Sequence, residues 1–124
     1  MAVKIVDASA LAAVVFAEPD ADRVAQQLAD AILTAPALLQ FELTNICRTK
    51  LRQFPGQRDI LLDQFSIRSA IAVETREIDH DEAPGLAERF GLSAYDASYL
   101  WLAREFDAQR VTLDQRLARA ATLF

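Results

Sequence analysis

Val3-Lys4-Ile5-Val6-Asp7-Ala8-Ser9 is the stretch that decides the fold. Three of its first four residues are β-branched, the composition of a short strand. The run stops at an acid, and Asp7 and Ser9 are side chains that start helices well. A strand passing directly into a helix through one acid is the opening of a βαβ unit. Ala10–Ala17 continues as a short apolar helix closed by Glu18-Pro19.

The same alternation repeats outward from this start. Asp20 opens a helix through about Asp30, with Val24 and Leu28 on one face. Ile32–Ala35 reads as a second strand, and Pro36 suits the first turn of a helix running to about Phe54, before Pro55-Gly56. Gln57–Ala70 is a further helix with Ile60, Leu61, Phe65 and Ile67 as its apolar set, and Ile71–Thr75 a third strand. Asp79 or Asp81 opens a helix closed by Gly91, Ser93 caps Ala94–Phe106, and Val111–Leu113 is a fourth strand. A last helix is expected from about Asp114 to Ala121, and with ten residues after Asp114 any final strand would be very short. Strands alternating with helices predict an α/β fold, a short and mostly parallel central sheet flanked by helices. No linker or repeat divides residues 1–124, so a single domain is expected.

Composition narrows the function classes. The hydrophobic fraction of 52% supports a core, and three glycines with four prolines argue against low complexity. No apolar run approaches the roughly 20 residues of a membrane span. The apolar stretch before Asp7 is too short for a signal peptide, which leads to a cytoplasmic expectation. Cys47 and His80 are each the single residue of their type, which excludes an internal disulfide and the usual zinc sites. Cys47 lies among Leu43, Ile46 and Leu51 and reads as core, whereas His80 sits in an acidic, polar stretch and reads as exposed.

The net charge of −5 disfavours a nucleic-acid binder. Two divalent cations add four positive charges and leave −1. The charges are also uneven: Arg48, Lys50, Arg52 and Arg58 fall in a segment free of acids, while five acids lie between Glu74 and Glu82. The basic segment either guides a polyanion or is a solvated helix face.

Four acids need a reason to be where they are. Asp7 and Asp114 each follow a predicted strand, on the edge where α/β sheets gather functional groups. Each also reads as a helix N-cap. Glu42 has Leu38, Leu39, Asn45 and Ile46 at helical spacing, and Asp96 has Leu92, Ser93, Tyr99 and Leu100. Both therefore fall on the core side of their helices, where a carboxylate needs a partner. Arg48 or Arg104 would serve as an ion-pair partner, and a divalent metal would serve all four acids as an oxygen cage.

The chain resembles PIN-domain proteins, in particular the small toxin ribonucleases of VapBC-type toxin–antitoxin pairs. The resemblance rests on Ile5-Val6-Asp7-Ala8-Ser9-Ala10-Leu11, Phe41-Glu42-Leu43-Thr44-Asn45, Leu92-Ser93-Ala94-Tyr95-Asp96-Ala97-Ser98-Tyr99 and Val111-Thr112-Leu113-Asp114-Gln115-Arg116-Leu117. It spans essentially the whole chain through the order and spacing of these segments. It implies a PIN-like single domain whose acids Asp7, Glu42, Asp96 and Asp114 form the catalytic site and hold one or two Mg²⁺ or Mn²⁺ ions. Asp7 and Asp96 are then the primary ligands, Glu42 binds metal or orients water, and Asp114 completes the set. Ser9, Asn45 and Thr112 match supporting polar positions, although Ser9 and Thr112 also read as a cap and a strand residue. Arg48, Arg104, Arg110 and Arg116 are candidates for phosphate contact.

The function implied is hydrolysis of RNA phosphodiesters by the toxin of a type II toxin–antitoxin pair. The partners implied are RNA, a VapB-type antitoxin with a basic C-terminal segment, and a second copy in a homodimer. Leu11, Val14, Phe16 and Leu28 either line a groove for the antitoxin or belong to the core. A phosphoacceptor domain needs a paired acid after the first strand and a nearby Lys, and a two-acid phosphatase needs an acid at the position of Ser9. The chain has neither. The stronger rival is a PIN-like module that lacks activity and binds a protein or RNA.

Overall fold

Among the described residues four parallel strands form the sheet: β1 (Ala2–Val6), β2 (Ala31–Pro36), β3 (Val73–Arg76) and β4 (Gln109–Val111), in the order β3-β2-β1-β4. This computed structural model describes residues 1–114 and 118–119. Ile5 lies opposite Thr34 of β2 and Arg110 of β4, which makes β1 an interior strand buried at Ile5 and Val6. Strands covered on both faces are uniformly apolar where they are central, as Ile5, Val6, Leu33 and Ala35 are here.

Helices α1 (Ala8–Val15) and α2 (Ala21–Leu28) join β1 to β2. Helices α3 (Leu38–Gln53) and α4 (Arg58–Ser66) join β2 to β3, and α5 (Ala83–Phe90) and α6 (Ala94–Glu105) join β3 to β4. Parallel neighbours require such crossovers. Helix α6 packs against β1 and β2 and against α5, while α1 packs against α2 and α3. The core joins Leu11, Val15 and Phe16 of the first crossover to Leu39, Leu43 and Cys47 of α3 and to Tyr99, Leu100 and Leu102 of α6. Cys47 is buried and His80 exposed, as their settings in the sequence suggested.

Several boundaries differ from the sequence reading. Pro36 closes β2 opposite Arg76 instead of opening α3, because a proline is tolerated at a strand end where its missing N–H costs no ladder bond. The helix expected through Ala70 ends at Ser66 and tightens into a 3₁₀ turn over Ile67–Ala70. Asp79 forms a turn, its carboxylate accepting from the Asp81 amide at 2.9 Å, and α5 opens later at Ala83 with Pro84 in its first turn. Strand β4 lies two residues earlier than the Val111–Leu113 expected, because its register against Lys4–Val6 is set by backbone pairing of Gln109 and Arg110. Of the apolar residues in the early helices, Leu11 and Phe16 are buried, and Val14 and Leu28 are half-buried against the core. They are chiefly core and not a free groove. Gly91 (φ +64°) closes α5 in the left-handed region, and the Ser93 hydroxyl caps α6 by accepting from the Asp96 amide at 3.1 Å. Most of the expected last helix, Asp114 to Ala121, lies outside the described residues; the Ala118 amide donates to the Asp114 carbonyl at 2.9 Å.

Candidate active site

The strand order reverses at β1: the chain steps outward to β2 and β3, then returns to place β4 on the other side of β1. Such a switch point opens a crevice beyond the carboxyl ends of the two strands. Asp7 follows β1 there, and Thr112 to Asp114 follow β4. The two ends are stitched together. The Asp7 amide donates to the Val111 carbonyl at 3.2 Å and the Leu113 amide to Ser9 Oγ at 2.9 Å, while within the segment after β4 the Asp114 amide donates to Thr112 Oγ1 at 2.9 Å.

Asp7 is buried, and both its carboxylate oxygens are held. Oδ1 accepts from Ser9 Oγ at 2.7 Å and from the Ala10 amide at 3.0 Å, and Oδ2 accepts from the Thr112 hydroxyl. Asp7 is therefore the N-cap of α1 as well as a site residue, so its two sequence readings are compatible. Burial pushes its carboxyl above the usual aspartate range, and the nearby charge of Asp114 adds to this, against the three hydrogen bonds that favour the anion.

Glu42 and Asp96 come from helices on different crossovers, α3 and α6, and are half-buried on the wall of the same cleft. Glu42 finds its partner in the Tyr99 hydroxyl, which donates to Oε1. Arg48, the ion-pair partner considered for it, stays exposed. Burial raises the Glu42 carboxyl, and the charges of Asp7, Asp96 and Asp114 raise it further, while the bond from Tyr99 opposes them. The carboxylates thus feel one another across the cleft. Tyr99 is itself buried, and burial together with the acceptor on Glu42 pushes its phenol far above the ordinary value, so it stays protonated and donates.

The cleft, about 250 Å³, is lined by Asp7, Ala8, Ser9, Glu42, Asn45, Ile46, Asp96, Tyr99 and Asp114. It contains all four predicted acids together with Ser9 and Asn45, and Thr112 supports it from below through Asp7. Of the arginines considered for phosphate contact, Arg48, Arg104 and Arg110 do not line it, and Arg116 lies outside the described residues. Tyr99 is the site residue that sequence reasoning passed over. Its signal was present: it stands three residues after Asp96 on a helix, on an apolar face, where a buried hydroxyl needs a partner.

An all-oxygen donor set whose members raise one another's proton affinity suits a hard divalent cation. Asp7, Glu42, Asp96 and Asp114 are the residues that would hold one. Among the described residues, however, no three Asp, Glu, His or Cys side chains are drawn to ligand spacing, so the expected cage is an open cleft. A second cavity of about 330 Å³, bounded by Leu38, Ile78, Pro84 and Tyr95, contains none of these four acids.

Comparison with solved structures finds the same fold in the protein PAE2754 of Pyrobaculum aerophilum. The TM-score is 0.74 at 24% identity, over 96% of this chain and 79% of that one. It also finds the fold in VapC20 of Mycobacterium tuberculosis, a toxin that cleaves the sarcin–ricin loop, with TM-score 0.66 at 16% identity over 94% of both chains. No curated protein matches the chain. The family model described as the PIN domain matches residues 4–123, and with the acids gathered at the sheet's switch point the chain belongs to the PIN-domain family.

Proposed function

We propose that the chain is a divalent-metal-dependent endoribonuclease, the toxin of a type II toxin–antitoxin pair. The observation that carries this is Asp7, a buried carboxylate fixed through both oxygens at the switch point and facing a cleft that contains Glu42, Asp96 and Asp114. PIN domains are generally nucleases, and the structural neighbour VapC20 is a toxin that cleaves the sarcin–ricin loop.

Asp7 and Asp96 would be the primary ligands for Mg²⁺ or Mn²⁺, and Asp114 would complete the set. When bound, one or two such ions lower the pKa of a coordinated water and neutralise charge on the scissile phosphate. The rest is the work of the chain's own groups. Ser9, Thr112 and the Ala10 amide fix the orientation of Asp7. Tyr99 fixes Glu42 through one oxygen and leaves the other for a metal or for the attacking water. Asn45, one turn from Glu42, stands at the rim where a phosphate or sugar oxygen enters.

The reading extends to a VapB-type antitoxin, whose basic C-terminal segment neutralises the acidic cleft, to a cytoplasmic location and to a homodimer. The dimer is checked by the solution mass at micromolar concentration, where a monomer alone contradicts it. Among the described residues no helix is long and apolar enough to cross a membrane.

Purified protein is expected to cut a mixed RNA pool with Mn²⁺ or Mg²⁺ and to stop in EDTA. Asp7→Asn, nearly isosteric, should keep the fold and lose at least 100-fold in rate, the order of a catalytic metal or acid–base group. Undiminished cutting by that variant refutes the assignment. The rival, an inactive binding module, draws on the open spacing of the acids; it is favoured if the folded protein neither cuts RNA nor binds metal.

A further inference from the structure

Phe41, Asn45, Arg48 and Arg52 are all exposed on α3. At 3.6 residues per turn they fall within an arc of about 60° and form one stripe about 16 Å long. The opposite face of the same helix buries Leu39, Leu43 and Cys47. Asn45 also lines the acidic cleft, so the stripe borders that cleft and leads away from it.

Two features of the stripe call for a ligand. Phe41 is 76% exposed, a large ring left in water one residue from Glu42. Arg48 and Arg52 make no ion pair or hydrogen bond among the described residues, in a chain where acids outnumber Lys and Arg by 18 to 13. The helix dipole favours a cation in the last turn and accounts for Arg52. It does not account for Arg48, which lies before that turn, or for an exposed ring beside the cleft.

We propose that this stripe is a track for single-stranded RNA, with a base stacked on Phe41 and phosphates passing to Arg48 and Arg52. An aromatic platform followed by unpaired guanidiniums is the combination that single strands require, since every base has a π-face and every linkage a charge. The charge favours RNA over an acid-neutralising basic peptide, which the stripe repels and the cleft attracts. The track also places the affinity for a polyanion where the acids are not, which reconciles a net charge of −5 with an RNA substrate. It rests on the nuclease reading for the identity of the strand.

The test is fluorescence anisotropy of a short mixed-sequence oligoribonucleotide in EDTA, over a series of salt concentrations. It compares wild type with Arg48→Ala/Arg52→Ala, with Phe41→Ala and with Arg89→Ala, which removes an exposed arginine on α5. The double variant is expected to bind more weakly and to lower the salt slope by about 1.4, roughly 0.7 per lost phosphate contact. Phe41→Ala is expected to weaken binding roughly tenfold with the slope unchanged, the signature of stacking. Arg89→Ala is expected to change neither. With Mn²⁺ present, hydrolysis of bis(p-nitrophenyl) phosphate, a small diester for the cleft that Phe41, Arg48, Arg52 and Arg89 do not line, should be equal in all four proteins. Affinity and slope unchanged in the double variant, or a wild type that binds no RNA, overturn the track. If the small diester is still hydrolysed in that event, the nuclease reading survives without it. Loss of RNA binding in the variants with no diester hydrolysis in any protein upholds the track and sinks the nuclease reading instead.

Discussion

At the scale of single residues, the site is a problem of holding unscreened carboxylates in place. Asp7 is solved by saturation, since three donors reach its two oxygens. Glu42 depends on one donor, the Tyr99 hydroxyl. Tyr99→Phe keeps the ring in the core and removes only that hydrogen bond, at a stability cost of about 1 kcal/mol. With the opposing bond gone, Glu42 loses its fixed orientation and its carboxyl rises further, so RNA cleavage is expected to fall and the acid limb of its pH profile to move to higher pH. A pH–rate profile of the variant identical to wild type contradicts this role. The four acids themselves were legible in the sequence because each is out of character with its neighbours. The Tyr99 contact was not, because it joins positions 57 residues apart across two crossovers and a tyrosine on an apolar face is ordinary. Ser9 and Thr112 were named as supporting residues only through the family resemblance: the Ser9 bond to Asp7 is local and also reads as a cap, whereas Thr112 meets Asp7 from more than 100 positions away.

At the scale of elements, local chemistry explains what was legible. Gly91 and Ser93 mark the end of α5 and the start of α6, and both do what their residue types dictate. Gly91 has φ +64° and open space where a Cβ would stand, so Gly91→Ala costs only the backbone term of about 1 kcal/mol. Thermal or urea unfolding is expected to show that loss with cleavage intact. A variant as stable as wild type would contradict the left-handed cap. Where the sequence reading slipped, pairing or turn chemistry outweighed pattern. Strand β4 has three residues, of which only Val111 is β-branched, and its limits come from lying beside β1. Pro36 carries the same signal at a strand end as at a helix start. Asp79 uses its side chain in a turn, which delays α5 to Ala83.

At the scale of the whole molecule, the sheet order gathers into one cleft carboxylates that repel one another, and stability should record this. A carboxyl whose folded pKa lies above its unfolded value binds more protons folded than unfolded, so its contribution is lost as pH rises. Asp7 and Glu42 are raised from 3.8 and 4.5. Metal-free protein is therefore expected to lose stability as pH climbs from about these values through the raised ones, and Mn²⁺ should remove much of that loss at neutral pH by linkage. A metal-free melting temperature that rises through this window would contradict the repulsion. Asp7→Asn should melt no lower than wild type without metal, because it removes one buried charge and keeps an acceptor for the Ala10 amide. The central claim is that these carboxylates together hold a divalent cation, and calorimetric titration of Mn²⁺ into wild type, Asp7→Asn and Asp96→Asn tests it most directly. Binding by wild type that weakens at least tenfold in each variant is the predicted result; no binding by the folded wild type, or equal affinity in all three proteins, would contradict it.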